Sequence, residues 1–228
     1  MAGYSSGDRT RENLVNAAGE LAAELGFSRV TTREVAKRAG ENVGSIHYHF
    51  GSKEKLFEAV VYKAIDPQLK NPLSDVLAPY MDRLDDRTVQ AEAVVSAVRW
   101  FMGQLFYDDK PLWCCRVIYQ LLQSPGHLRD LAYSVAIEPG VESFRRLLRR
   151  VDGSLSFKDS IREMLIICSP IFFHADYRDI ITCELGMDRY NPEYLEGLER
   201  RIVSRALFGL GLHDLEEEYS ICRKRGGE

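Results

Sequence analysis

The 228-residue sequence has no apolar run long enough to span a bilayer, which takes ~18 uncharged residues. The best candidate, Met164 to Phe173, is about half that length and contains Ser169 and Pro170. No membrane partner is therefore expected. Met1 to Arg11 lacks the apolar core of a signal peptide, so the default compartment is the cytoplasm. Cysteine is sparse. Cys114, Cys115, Cys168, Cys183 and Cys222 are odd in number and match no zinc or redox spacing, which leaves buried, reduced thiols as the reading. His174 and Asp176 alone do not make a metal site, and no cofactor is expected. A nucleophile elbow, a zinc-protease helix, a P-loop and a dinucleotide fingerprint are all missing, so the chain is not read as an enzyme. Strand-like alternation, repeats and low-complexity tracts are absent as well.

What remains is an ordinary globular composition, 45% hydrophobic and 28% charged, with helical periodicity nearly throughout. The net charge is −4, but it is unevenly spread. Between Ser28 and Lys55, Arg29, Arg33, Lys37, Arg38, Lys53 and Lys55 face only Glu34, Glu41 and Glu54. A short basic segment on an acidic body suits a nucleic-acid reader joined to something else.

The pattern predicts an all-α fold. Residues 1–7 read as a disordered tail. Leu14, Ala18, Leu21 and Leu25 share one face of a first helix over about residues 8–25, ended by Gly26. Thr31 and Glu34 have capping-box spacing at the start of a second helix that Gly40 stops. Asn42 caps a third, which ends near Phe50-Gly51, and Ser52 caps a long fourth running to about Asp66-Pro67. Pro67, Pro72 and Pro79 are expected to break up the stretch that follows. Further helices are expected at about 87–107, 111–122, 126–150 (kinked or divided at Pro139), 157–174 and 192–210, with 174–191 the least defined. Three domains follow: residues 1–52 as a three-helix DNA-binding head, residues 53–215 as a larger helical domain entered through the fourth helix, and a charged tail at 216–228.

Ala36, Gly40 and Ile46 supply what a helix-turn-helix needs: a small residue at the close crossing, a turn residue that accepts positive φ, and an apolar anchor on the second helix. If Ile46 and Phe50 face inward, Val43, Gly44, Ser45 and His47 lie on the exposed side and are candidates for base edges in a major groove. Gly44 fits either close approach to DNA or helix–helix packing. Tyr48, His49 and Lys53 suit phosphate oxygens, beside the positive end of the fourth helix.

The run from Arg38 to Glu54, above all Tyr48-His49-Phe50 followed by Ser52-Lys53-Glu54, resembles the signature of the TetR family of regulators. The resemblance covers residues 9–60; beyond them the chain is alike only in helicity and length. Within the family it looks most like the branch with a CerR-type C-terminal domain. The resemblance implies that Thr32 and Arg33 contact DNA. It also implies that two late helices pair with their mates in a dimer. Two residues depart from the pattern. Glu41 stands where a small apolar residue is usual, placing a negative charge near the DNA face, and His47 stands where tyrosine is common, so operator preference does not carry over.

The larger domain is rich in aromatic residues. A small-molecule sensor needs an apolar cavity with a few polar groups, and Trp100, Phe101, Trp113, Arg116, His127, Phe144, Phe172 and His174 are the candidates, with ordinary core as the alternative for the rings. The stripes Ile161, Leu165 and Leu195, Leu198, Ile202, Ala206 fit either a dimer interface or intramolecular core. The expected function is a ligand-responsive repressor that binds double-stranded DNA as a homodimer on a palindromic operator and answers to a small-molecule effector. The alternative is a DNA-binding or adaptor module whose second domain only dimerises or contacts a protein.

Overall fold

A computed structural model describes residues 6–107 and 111–215. Among them there are helices and no strands. The elements are α1 (Ser6–Leu25), α2 (Thr32–Ala39), α3 (Val43–Phe50), α4 (Lys53–Lys70), α5 (Leu73–Met81), α6 (Arg87–Met102), α7 (Trp113–Gln123), α8 (His127–Ala132), α9 (Glu138–Val151), α10 (Phe157–Asp176), α11 (Arg178–Glu184) and α12 (Pro192–Gly209). Wide π turns follow α6 (Gly103–Tyr107) and α8 (Tyr133–Ile137). The expected charged tail at 216–228, with Cys222, lies outside the described residues, as do residues 1–5 of the expected N-terminal tail. Ser6 and Gly7, also assigned to that tail, open α1 instead.

The chain forms two compact units. The first joins residues 1–70 to 109–137, and the second joins 71–108 to 138–228. Packing thus divides the chain after Lys70 and returns α7 and α8 to the first unit, unlike the expected division at 52/53. The physical reason is the apolar face of α4. Leu56, Phe57, Val60, Val61, Ala64 and Ile65 are all buried, and α4 packs on α1, α7 and α8 as well as on α3.

The first unit's core contains the expected face of α1: Leu14, Ala18 and Leu21 are buried and Leu25 is partly so. Trp113 of α7 lies flat on Gly19 of α1, where a Cβ would sit only 2.6 Å from the indole. In the second unit, Val94, Val98, Phe144, Leu147, Ile171 and Leu207 form a core shared by α6, α9, α10 and α12. Each such side chain stabilises the fold by roughly 1.5–3 kcal/mol.

Proline behaves differently from expectation. Pro67 sits inside α4, which continues to Lys70, and Pro79 sits inside α5, so only residues 71–72 interrupt that stretch. Pro139 has no N–H to give to the carbonyl four residues earlier. The chain absorbs the missing bond in the π turn at Tyr133–Ile137 and resumes as α9. The least defined stretch, 174–191, contains α11.

Candidate functional site

The head is built by local chemistry. Thr31 closes a reciprocal cap on α2: its backbone N–H donates to Glu34 Oε2 at 2.9 Å, and Glu34 N–H donates to Thr31 Oγ1 at 3.3 Å. The Thr31 hydroxyl also donates to Glu34 Oε2, at 2.7 Å, and this bond, with the backbone one, holds the Glu34 carboxyl below the usual carboxylate range. Gly40 ends α2 at φ 69°, the left-handed conformation the turn requires. Ala36 is buried at the crossing, and Ile46 is fully buried beneath α3. Asn42 caps α3 by accepting from Gly44 N–H. Ser52 caps α4 by accepting from Lys55 N–H at 3.2 Å. The three residue types expected of a helix-turn-helix therefore occupy the expected positions.

With Ile46 inside, α3 turns Gly44, His47 and Tyr48 outward; Tyr48 is 85% exposed. Ser45 and His49 are half-buried. Val43 is also half-buried and packs against the core, so it contributes less outward surface than expected. Gly44 has a local explanation that neither expected reading contained: a Cβ there would meet only the capping Asn42 side chain, at 2.8 Å. His47 Nδ1 donates to Gly51 O at 3.2 Å, since a carbonyl can only accept. In the neutral ring this leaves Nε2 as an outward acceptor.

The structure also sorts the basic residues. Arg38 forks onto Glu24 with two bonds, at 2.9 and 3.0 Å. Lys55 pairs with Glu58, and Arg29 donates to Leu25 O. Arg33 and Lys37, one turn apart on the exposed side of α2, form no ion pair among the described residues. Thr32 is half-buried at the start of the same helix. Lys53 lies over the Phe57 ring, 5.3 Å from its centroid. Glu41 accepts from Thr10 Oγ1 at 3.0 Å, so its carboxylate is tied to α1.

The expected sensor residues do not converge. Trp113, Arg116 and His127 belong to the first unit, where Trp113 packs on Gly19 and His127 Nε2 lies 3.1 Å from Glu58 Oε1. Trp100, Phe101, Phe144 and Phe172 do come together in the second unit, as an edge-on ring cluster in which Trp100 Nε1 donates to Asn71 O at 2.7 Å. Phe144 is fully buried in that cluster and Trp100 nearly so, while Phe172 lies at its exposed edge. Of the expected sensor residues, His174 lines a cavity. The cavity, about 610 Å³, runs along α10 and α12 and is bounded by Pro170, His174, Met187, Asn191, Glu193, Tyr194, Gly197, Leu198, Arg201, Ile202 and Arg205. His174 Nδ1 donates to Pro170 O at 2.7 Å, and Nε2 is 3.1 Å from the Tyr194 hydroxyl. The signal for this cavity lay in the pair Arg201 and Arg205, one turn apart beside an otherwise apolar stripe.

Of the two readings of the late-helix stripes, intramolecular core fits three residues. Leu195, Ile202 and Ala206 are buried in the second unit's own core. Ile161 is half-buried, and Leu198 lines the cavity. Leu165 does project outward, and Ile166, Phe172 and Phe173 on α10 and Phe208 on α12 are exposed apolar residues as well. The stripes were read one helix at a time, whereas α10 and α12 bury those faces against α6, α9 and each other.

Cys168 is buried, and desolvation pushes its thiol up to about 12. No group of three or more His, Cys, Asp or Glu suited to a metal occurs among the described residues. Nor is any described helix long and apolar enough to cross a membrane.

Comparison with known proteins agrees with this geometry. Residues 14–60 match the family described as bacterial regulatory proteins, tetR family. Over 150 residues, 64% of this chain and 66% of the relative, the chain is 31% identical to the HTH-type transcriptional dual regulator CecR of Shigella flexneri. The chain thus spans just under two thirds of that relative's length. Among solved structures, HlyIIR, a hemolysin II transcriptional regulator, has a TM-score of 0.58 at 18% identity, covering 88% of this chain and 98% of its own. The complex of SmeT with triclosan has a TM-score of 0.55 at 19% identity, covering 88% and 90%. At such identities these structures support the fold.

Proposed function

Because the chain belongs to the tetR family of bacterial regulatory proteins, we propose that it is a sequence-specific DNA-binding transcriptional regulator in the cytoplasm. It acts as a homodimeric, ligand-responsive repressor on a palindromic operator. The observation that carries this reading is the outer face of α3. A buried Ile46 below and a capping Asn42 in front leave Gly44, His47 and Tyr48 facing outward, and Arg33 and Lys37 of the preceding α2 form no ion pair among the described residues. A helix so presented fits a major groove. Val43, Gly44, Ser45 and His47 lie toward the bases. Thr32, Arg33, Tyr48, His49 and Lys53 lie toward the phosphates. The outward His47 Nε2 acceptor suits a base-edge donor, cytosine N4 or adenine N6.

One short recognition helix makes too little contact for tight binding, and a two-fold dimer doubles it. The exposed apolar residues of α10 and α12 are the face we assign to that pairing. Read by role, residues 1–52 are the head, and residues 53–215, in the branch with a CerR-type C-terminal domain, sense and dimerise. SmeT is solved with a small molecule bound, which supports a ligand for this chain too. The ligand favours a state with altered spacing between the heads, and DNA affinity falls by its differential affinity for the two states.

Selection of genomic fragments bound by the purified protein, followed by footprinting, tests the reading. The expected result is enrichment of an inverted repeat with protected half-sites about one helical turn apart. Fragments without a shared repeat would contradict it.

A further inference from the structure

Helix α12 contains a glycine that its own chain does not explain. A glycine inside a helix weakens it relative to alanine. Gly197 has no positive φ, and a Cβ built there would meet no atom of this chain within 4 Å. Glu193 precedes it by four positions and Arg201 follows it by four. The three therefore share one face of the helix, at intervals of about 6 Å along its axis. All three line the groove along α10 and α12, whose wall is mixed: His174, Asn191 and Tyr194 stand beside Leu198 and Ile202. Glu193 and Arg201 are exposed, and neither forms an ion pair among the described residues.

We propose that α12 lies antiparallel against α12 of a second copy, the two helices crossing at Gly197, so that Glu193 of each chain meets Arg201 of the other. The proposal rests on the reading that α10 and α12 pair with a second copy, and it adds the direction and register of that contact. Charge decides the direction. A parallel two-fold pair would set Glu193 against Glu193 and Arg201 against Arg201, like charges face to face. An antiparallel pair centred on Gly197 brings position 193 of one chain opposite position 201 of the other, and a two-fold axis makes the contact twice. A face whose charges reverse sign about its centre is complementary to itself, which selects a second copy as the occupant. Gly197 then has its reason: without a Cβ at the crossing, the two backbones approach closely. Burial decides the register. Pairing Glu193 with Arg205 would move the crossing to Glu199, which is buried and accepts from Arg99 Nε at 2.9 Å inside its own chain.

Sedimentation equilibrium of charge-reversal variants of the full chain tests the proposal. Glu193→Arg alone and Arg201→Glu alone should each weaken dimerisation about tenfold or more, because each sets like charges opposite one another twice. An equimolar mixture of the two variants should recover the parent affinity to within about threefold, since the mixed dimer restores both ion pairs. That recovery also shows that neither variant is merely misfolded. Arg205→Glu should weaken the dimer less than Arg201→Glu. Gly197→Cys, in a Cys183→Ser background, should close a disulfide between copies on mild oxidation, as two residues at a close crossing can. Single reversals that leave the dimer unchanged would overturn the proposal. So would a mixture no tighter than either variant alone, a larger loss from Arg205→Glu, or a Gly197→Cys chain that cross-links no more than its background. A parent chain that stays monomeric would remove the pairing itself, whereas a parent dimer indifferent to the reversals removes only the register.

Discussion

The outward face of α3 and the outward face of α10 are both solvent-exposed helix surfaces, yet they expose opposite chemistry. In the head, from Ser6 to Ser52, Tyr48 is the one large hydrophobic residue exposed among those described, and it carries a hydroxyl. Every larger aliphatic anchor there, from Leu14 to Ile46, is turned inward. On α10, Leu165, Ile166 and Phe173 stand out at 51, 66 and 53% exposure with nothing polar to offer. A surface that keeps its apolar groups inside and shows rings, hydroxyls and cations is built for a charged, hydrated partner. A surface that leaves branched and aromatic side chains in water is built for another apolar surface. The two proposed roles, DNA contact and pairing, thus fall on faces of opposite chemistry.

The largest effect should come from spoiling the apolar face. Ile166→Glu is expected to yield a monomer in sedimentation velocity at micromolar concentration with unchanged helicity. Its affinity for a two-half-site operator should fall about 100-fold or more, because the second head no longer binds as part of one molecule. A dimeric Ile166→Glu would assign pairing to another surface. Next comes the anchor beneath α3. Ile46→Ala should cost about 2–5 kcal/mol in urea unfolding, as buried aliphatic truncations do. A smaller cost would mean that α3 is held mainly by its caps. Tyr48→Ala should leave stability alone and weaken binding about tenfold to every sequence tested, since a phosphate contact carries little sequence information. His47→Ala should instead change the ranking of operators. The smallest effect is expected at Thr31, whose cap orders α2 and with it Arg33. Thr31→Ala should lower stability by about 1 kcal/mol.

The pH dependence at the same cap has a defined sign. The folded-state Glu34 carboxyl lies below its ordinary value, so its contribution is fully present above the unfolded pKa. It is lost as the pH falls through the folded one. In acid titrations followed by circular dichroism, Glu34→Gln should therefore narrow its stability gap to the parent chain as the pH drops. A gap that stays constant down to the acid transition would remove the carboxylate from the cap.

How much of this was legible in the sequence depended on how local the cause is. The Thr31–Glu34 box, the Asn42 and Ser52 caps, the left-handed Gly40 and the Ala36–Gly40–Ile46 spacing act over a few residues, and each occupies its expected place. The passage of α4 beyond Pro67, the π turn ahead of Pro139 and the grouping of α7 with the head depend on what packs alongside, and single-helix periodicity does not encode it. The same holds for function. His47 and Tyr48 were visible because a capped eight-residue helix has only one way to turn once Ile46 is buried. Leu195, Ile202 and Ala206 fit a partner and the chain's own core equally well in sequence, because their stripe looks the same whether the surface opposite belongs to this chain or to another. Trp113 looked like a cavity residue because its true neighbour, Gly19, lies far away in sequence.

The central claim is that α3 reads DNA in a dimer, and the most direct test is a fluorescence-anisotropy titration of the protein against the DNA upstream of its own gene and against a scrambled control, at two salt concentrations. The account predicts saturable binding at one or two dimers per site, stronger than to the scrambled duplex and steeply weakened by salt as phosphate counterions are released, with Tyr48→Ala weaker on both duplexes. Fragment-selected operator DNA bound no better than scrambled DNA, or bound equally well by Tyr48→Ala, would contradict it.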